Sequence, residues 1–131
     1  MTGYIPPSEI PNYISAMDIV VAPYPELKFF YYSPVKIFEY MACQKPVLTT
    51  NIGQISEIIT DGENGVLCKP DDSDELLNKL LQLIEDREKR KKIGLNARKT
   101  IVDSHTWSIK AAAWSDYCTS VVRQFEEGRR R

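Results

Sequence analysis

Apolar residues in this chain fall into short unbroken runs, separated by segments whose apolar positions recur at helical spacing. Ile19-Val20-Val21-Ala22 is the first run. Four consecutive apolar residues suit a parallel strand buried on both faces. Residues 46–50 read as a second buried strand. Val66-Leu67-Cys68 is a third run, set behind the tight turn Asp61-Gly62-Glu63-Asn64-Gly65. Residues 8–17 read as a helix with Ser8 as cap and Pro11 in the first turn, where a missing N–H is tolerated. Ser33 and Pro34 open a second helix, Ser33 as N-cap and Pro34 at the first helical position. Its residues Phe38, Met41 and Ala42 form an apolar side that should pack on a sheet. Residues 55–59 read as a short helical turn. Pro23 and Pro25 end the first strand and start a long loop through Phe30.

Strands alternating with helices imply an α/β fold with a doubly wound parallel sheet. Ligands of such sheets sit at the carboxyl ends of the strands. The 23–33 loop and the 51–53 turn both follow strands, so they are expected to converge on the second helix.

The rest of the chain forms a helical C-terminal section. Asp72 and Glu75 fit a capping box, and Leu76, Leu77, Leu80, Leu81 and Ile84 follow at helical spacing. Residues 87–103 read as a further helix, rich in Lys and Arg. Thr106 caps a long last helix on which Trp107, Ala111, Trp114, Cys118, Val121 and Phe125 recur at alternating spacings of four and three. That stripe reads as core packing on this domain. Residues 1–127 then form one domain, and 128–131 a frayed tail.

Glu39 is the residue with the most chemical content. A carboxylate this far inside a helix is poorly placed for capping. The free N–H groups and positive dipole end at the helix start favour an anion, most simply a phosphate. Glu39 lies about 7 Å further along the axis, with its side chain leaning back toward that end. Val35 and Lys36 stand one turn before it on the same side. An ionised carboxylate accepts two hydroxyl donors side by side, and a ribose diol attached to a diphosphate supplies them. The residues alone leave a second reading open, in which Glu39 is simply a solvated helix position.

Three blocks carry a resemblance to a known family. The first is Thr2-Gly3-Tyr4-Ile5-Pro6, with Ile10-Pro11-Asn12-Tyr13-Ile14-Ser15-Ala16-Met17-Asp18-Ile19-Val20-Val21-Ala22-Pro23. The second is Ser33-Pro34-Val35-Lys36-Ile37-Phe38-Glu39-Tyr40-Met41-Ala42, with Lys45-Pro46-Val47. The third is Gly53-Gln54-Ile55-Ser56-Glu57-Ile58-Ile59, with Asp61-Gly62-Glu63-Asn64-Gly65-Val66-Leu67. In that order the chain resembles the C-terminal, donor-binding half of a family-4 glycosyltransferase, of the two-Rossmann-domain GT-B class. The resemblance implies a nucleotide-sugar donor as substrate, no other cofactor and no donor-site metal. It also implies donor contacts from Tyr31, Tyr32, Ser33, Pro34, Val35, Lys36 and Glu39. The family motif has two glutamates separated by seven residues. Glu39 matches the second, which typically binds the ribose hydroxyls. The first falls at Tyr31, so contacts to the transferred sugar depart from the pattern. Lys36 could supply charge to the diphosphate or be solvated, and both readings stay open.

The resemblance implies transfer with retention of configuration. It also implies an N-terminal acceptor-binding domain or partner chain, without which this chain is not catalytically complete. In this class the last helix crosses back onto that domain, so part of the apolar stripe is expected to be exposed. Two rivals are a non-catalytic nucleotide- or partner-binding subunit of a split transferase, and half of a nucleotide-sugar epimerase.

Composition adds exclusions. A net charge of −1 gives no global pull toward nucleic acid. Lys89-Arg90-Lys91-Lys92 reads as a solvated helix face, since no aromatic residues interleave for stacking on RNA; for the full enzyme, peripheral membrane association is the expected lipid contact. No run is apolar enough to span a bilayer and no signal peptide is evident. Cys43, Cys68 and Cys118 form no metal-type pair and read as small buried residues in a reducing cytoplasm. Asp71, Asp72, Asp74 and Glu75 read as capping residues, because no Gly-punctuated loop spaces them as a calcium site requires. His105, the single histidine, reads as a structural or surface residue rather than a general base.

Overall fold

Three parallel strands lie in chain order across one sheet: β1 (Val20–Ala22), β2 (Val47–Thr50) and β3 (Val66–Cys68). Val20 is paired with Val47, and Leu48 with Val66. The computed structural model describes residues 3–28 and 33–129. The helices within them are α1 (Ile10–Ser15), α2 (Val35–Ala42), α3 (Ile55–Ile58), α4 (Ser73–Glu85), α5 (Arg87–Ser104) and α6 (Trp107–Arg129).

The period of two along each strand divides the core between the sheet's faces. Val20, Ala22, Val47 and Leu67 pack with Ile37 and Met41 of α2, Ile55 and Ile58 of α3, and Ala97 and Ile101 of α5. Leu48 and Val66 turn the other way, onto Leu83 of α4 and Ile93 of α5. Helices therefore cover both faces, as a doubly wound sheet requires. Every residue of β2 and β3 is buried, whereas Val21 of β1 is 40% exposed. Gly94 marks where α5 meets the chain after α2: a Cβ there would stand 2.3 Å from the Gln44 carbonyl oxygen.

Several boundaries differ from expectation. Ser8 does not cap α1. The Glu9 N–H bonds to the Pro6 carbonyl, and this turn makes Glu9 the first flanking residue. On α4 the fully buried residue is Leu83, while Leu77, Leu81 and Ile84 are exposed. Thr106 does cap α6, its hydroxyl accepting from the Ile109 N–H at 3.3 Å. No described residue of α6 is buried; Trp107 is 91% exposed and Trp114 68%. The stripe therefore does not pack on this domain. Cys68 is buried, Cys43 half-buried and Cys118 exposed, so the uniform burial expected of the cysteines fails at Cys118, which α6 carries into solvent. No helix among the described residues is long and apolar enough to cross a membrane.

Candidate functional site at the start of α2

The entry to α2 is tighter than the sequence suggests. Pro34, not Ser33, is the flanking residue, at φ −79° and ψ 58°. These angles are those of an inverse γ-turn, and the Val35 N–H donates to the Ser33 carbonyl at 2.8 Å. The N–H groups of Ile37 and Phe38 donate to the Pro34 carbonyl at 2.9 and 3.4 Å. The Ser33 side chain makes no cap, because its carbonyl, through the turn that the proline ring favours, has already taken the first amide. Of the amides opening α2, only that of Lys36 has no hydrogen-bond partner among the described residues. The anion seat at this helix start is thus narrower than a full set of free N–H groups.

Glu39 and Lys36 lie one turn apart on the same side of α2, and both are exposed. They do not pair with each other. The Glu39 carboxylate has no hydrogen-bond or ion-pair partner among the described residues. The Lys36 ammonium instead lies over the Tyr24 ring, 4.7 Å from its centroid. Tyr24 is in turn fixed to the sheet: its N–H donates to Thr50 Oγ1 at 3.1 Å. Thr50 is the last residue of β2 and buried. Next to it, Thr49 Oγ1 donates to the Ala22 carbonyl at 2.7 Å. The carboxyl ends of β1 and β2, residue 24 and the first turn of α2 therefore form one continuous edge.

This edge is where the sequence places a ligand. The 23–28 segment joins it as expected. The 51–53 turn leaves the same end of β2, with the Ile52 N–H bonded to the Thr50 carbonyl at 3.0 Å and Gly53 at φ 49°. No hydrogen bond among the described residues links that turn to Glu39. Pro34 is buried, Ser33 and Val35 are exposed, and Tyr31 and Tyr32 lie outside the described residues. Tyr24 and Thr50 were not singled out from the sequence. The available signal was the alternation Pro23-Tyr24-Pro25-Glu26, which leaves N–H groups only at positions 24 and 26.

The acidic segment after β3 is built from caps. Asp72 Oδ1 accepts from the Glu75 N–H at 2.8 Å. The reciprocal half of the capping box is altered, since Glu75 Oε2 accepts from the Lys69 N–H at 2.8 Å. That bond, with the Lys79 ammonium 3.1 Å away, holds the Glu75 carboxyl below its usual range. Burial pushes the Cys68 thiol up, with Glu75 adding to the effect. No group of three or more His, Cys, Asp or Glu among the described residues could hold a metal ion.

A cavity of about 550 Å³ lies elsewhere, between Glu57, Asn64, Asn96, Lys99 and His105. Its buried polar anchor is satisfied. Asn64 accepts from the Thr60 N–H and donates to the Ile58 carbonyl and Thr100 Oγ1. His105 packs on Phe38 with ring centroids 5.3 Å apart, and burial, then Lys110, holds its imidazole below the usual range. His105 is half-buried, and its packing on Phe38 is a structural contact.

A family model described as "Glycosyl transferases group 1" matches residues 1–100, a span that contains all three strands and α2. An uncharacterized glycosyltransferase of Methanocaldococcus jannaschii is 43% identical over 89 residues, covering 68% of this chain and 23% of that protein. Among solved structures, the C-terminal domain of a glycosyl transferase group 1 family protein, LpcC, from Francisella tularensis is 34% identical. It aligns with a TM-score of 0.68 over 80% of this chain and 52% of that one. Anabaena HepE, solved in complex with UDP-glucose, is 30% identical, with a TM-score of 0.70 over 85% of this chain and 30% of HepE. The chain thus spans only part of each protein it matches.

Proposed function

Because this chain belongs to the group 1 glycosyl transferases, we propose that it is the donor-binding part of a GT-B enzyme and holds the nucleotide of a sugar donor at the start of α2. The observation that carries this reading is that Lys36 and Glu39, one turn apart at the carboxyl edge of the sheet, do not pair with each other, the Lys36 ammonium lying instead over the Tyr24 ring. Opposite charges at this spacing ordinarily attract. Here the Tyr24 ring draws the ammonium toward the sheet, leaving the carboxylate open to solvent. Glu39 accepts the ribose diol, and the Lys36 ammonium and amide face the diphosphate. HepE, a relative of this fold, binds UDP-glucose, which supports a nucleotide sugar as the ligand class.

The full enzyme, of family 4 and acting in the cytoplasm, transfers the sugar with retention. Leaving-group charge is stabilised by amides and cations at this edge, and no donor-site metal is needed. Tyr31 stands where the family motif has its first glutamate, so the transferred sugar is held differently from the pattern. Acceptor groups come from an N-terminal domain or partner chain, and the nucleotide-binding part alone is inactive. The exposed aromatic side of α6 is the contact surface for that partner.

Calorimetric titration with UDP, GDP and ADP, in magnesium and in EDTA, tests the reading. Saturable binding of one nucleoside diphosphate, unchanged by EDTA, is expected. Absence of binding by all three would overturn the donor role, and a requirement for magnesium would overturn its metal independence.

A further inference from the structure

The β1–α2 connection reaches α2 through Pro23-Tyr24-Pro25-Glu26, and the two prolines remove every second backbone donor. The two N–H groups that remain both go to side chains of other elements. Tyr24 donates to Thr50 of β2, and Glu26 donates to Asp71 Oδ2 at 3.0 Å, across 45 positions of sequence. Asp71 lies in the turn between β3 and α4 at φ 57°, one of two non-glycine residues with positive φ among the described residues. Asp tolerates that region better than most residues. Its neighbours fix it there. The Lys69 N–H is held by Glu75, and Asp72 caps α4 through the Glu75 N–H. The Asp71 carboxylate is thus presented by a turn secured on both sides. The segment and the Asp71 turn border one cavity of about 290 Å³, lined by Pro23, Tyr24, Pro25, Asp71 and Leu76.

We propose that Asp71 is a positioning residue for donor binding: through the Glu26 amide it holds the segment that follows Tyr24 and so steadies the Tyr24 ring beside the Lys36 ammonium. This rests on the donor-site reading above. Without the Asp71 acceptor the Glu26 N–H is released, and the Tyr24 ring, whose own N–H stays on Thr50, is held less firmly beside the Lys36 ammonium. The pairing is of β1–α2 loop with β3–α4 turn, and nothing in the local spacing of either segment announces it.

Two variants separate acceptor from backbone. Asp71→Gly keeps the positive φ and removes the carboxylate. Asp71→Asn keeps an acceptor and a residue that tolerates this φ. The full chain is compared by amide hydrogen exchange at Glu26 and by calorimetric titration with UDP, GDP and ADP. In Asp71→Gly, exchange at Glu26 is expected to rise about tenfold, the scale of one hydrogen bond, while β2 amides keep their protection. Affinity for the nucleotide that binds wild type is expected to fall several-fold, and Asp71→Asn to restore most of both. Unchanged Glu26 exchange in Asp71→Gly overturns the proposal, as does raised exchange with unchanged nucleotide affinity. If wild type binds none of the three nucleotides, the donor-site reading fails and the positioning role with it. Exchange at Glu26 then still reports whether the Glu26–Asp71 bond itself exists.

Discussion

The Lys36 ammonium rests 4.7 Å from the centroid of the Tyr24 ring, although Glu39 lies one helical turn away on the same side of α2. A cation held on an aromatic face is kept near the sheet without being neutralised, so it stays available to an anionic ligand. Exposed contacts of this kind are worth about 0.5–1 kcal/mol. Tyr24→Leu is therefore expected to weaken diphosphate binding about two- to fivefold, with Tyr24→Phe near wild type. Lys36→Ala removes the charge itself and is expected to cost about 1.5–3 kcal/mol in the same titration. Uridine, which has no phosphate, serves as the control and is expected to bind all three variants as it binds wild type.

Gly94 tests the junction of α5 with the end of α2. Alanine ordinarily favours a helix interior over glycine by about 1 kcal/mol. Here a Cβ would meet the Gln44 carbonyl oxygen at 2.3 Å, and Gln44 is itself at φ 60°. Backbone faces backbone, so no side chain can yield. Gly94→Ala is expected to destabilise by about 2 kcal/mol or more, seen as a lower urea midpoint at unchanged slope.

Leucines of α4 should divide sharply. Leu83 is fully buried against Leu48, Val66 and Ile93, so Leu83→Ala is expected to cost about 3 kcal/mol. Leu77 is 53% exposed, and Leu77→Ala should stay within about 0.5 kcal/mol of wild type. Thermal or urea unfolding of the two variants checks the contrast.

Acid sensitivity should run through Glu75. The Lys69 amide and the Lys79 ammonium hold its folded pKa below the ordinary value of 4.5. Its contribution is therefore fully present above that pH and is lost as pH falls through the folded value. Glu75→Gln is expected to be less stable near neutrality and to show a flatter stability profile below pH 4.5. Glu88, held low by Lys91, contributes the same sign in both proteins. A variant profile as steep as that of wild type would remove Glu75 from the acid response.

The strands were legible because Val20, Leu48 and Val66 stand in short apolar runs that a sheet covered on both faces requires. Leu83 was not, because α4 carries leucines on more than one side, and only the tertiary position of Ile93 decides which side is inward. The α6 stripe was legible as a stripe, but its partner was not. Spacing reports which residues share a side and says nothing of what that side meets. At the candidate site, Glu39 and Lys36 were singled out from their distance to a helix start. Tyr24, Thr50 and Asp71 were missed because their contacts span 26 and 45 positions. The expected Ser33 cap failed for a local reason, since Pro34 supports a γ-turn that takes the first amide by carbonyl.

Glu39 carries the central claim, and replacing its carboxylate with an amide of the same shape tests it most directly. Glu39→Gln, titrated with the nucleoside diphosphate that binds wild type, is expected to lose about 2–4 kcal/mol for two hydroxyl bonds to a charged acceptor. The 2′-deoxy form of that nucleotide should show a smaller loss between the two proteins. Equal affinity of Glu39→Gln and wild type for the ribonucleotide would contradict the ribose-binding role of this helix.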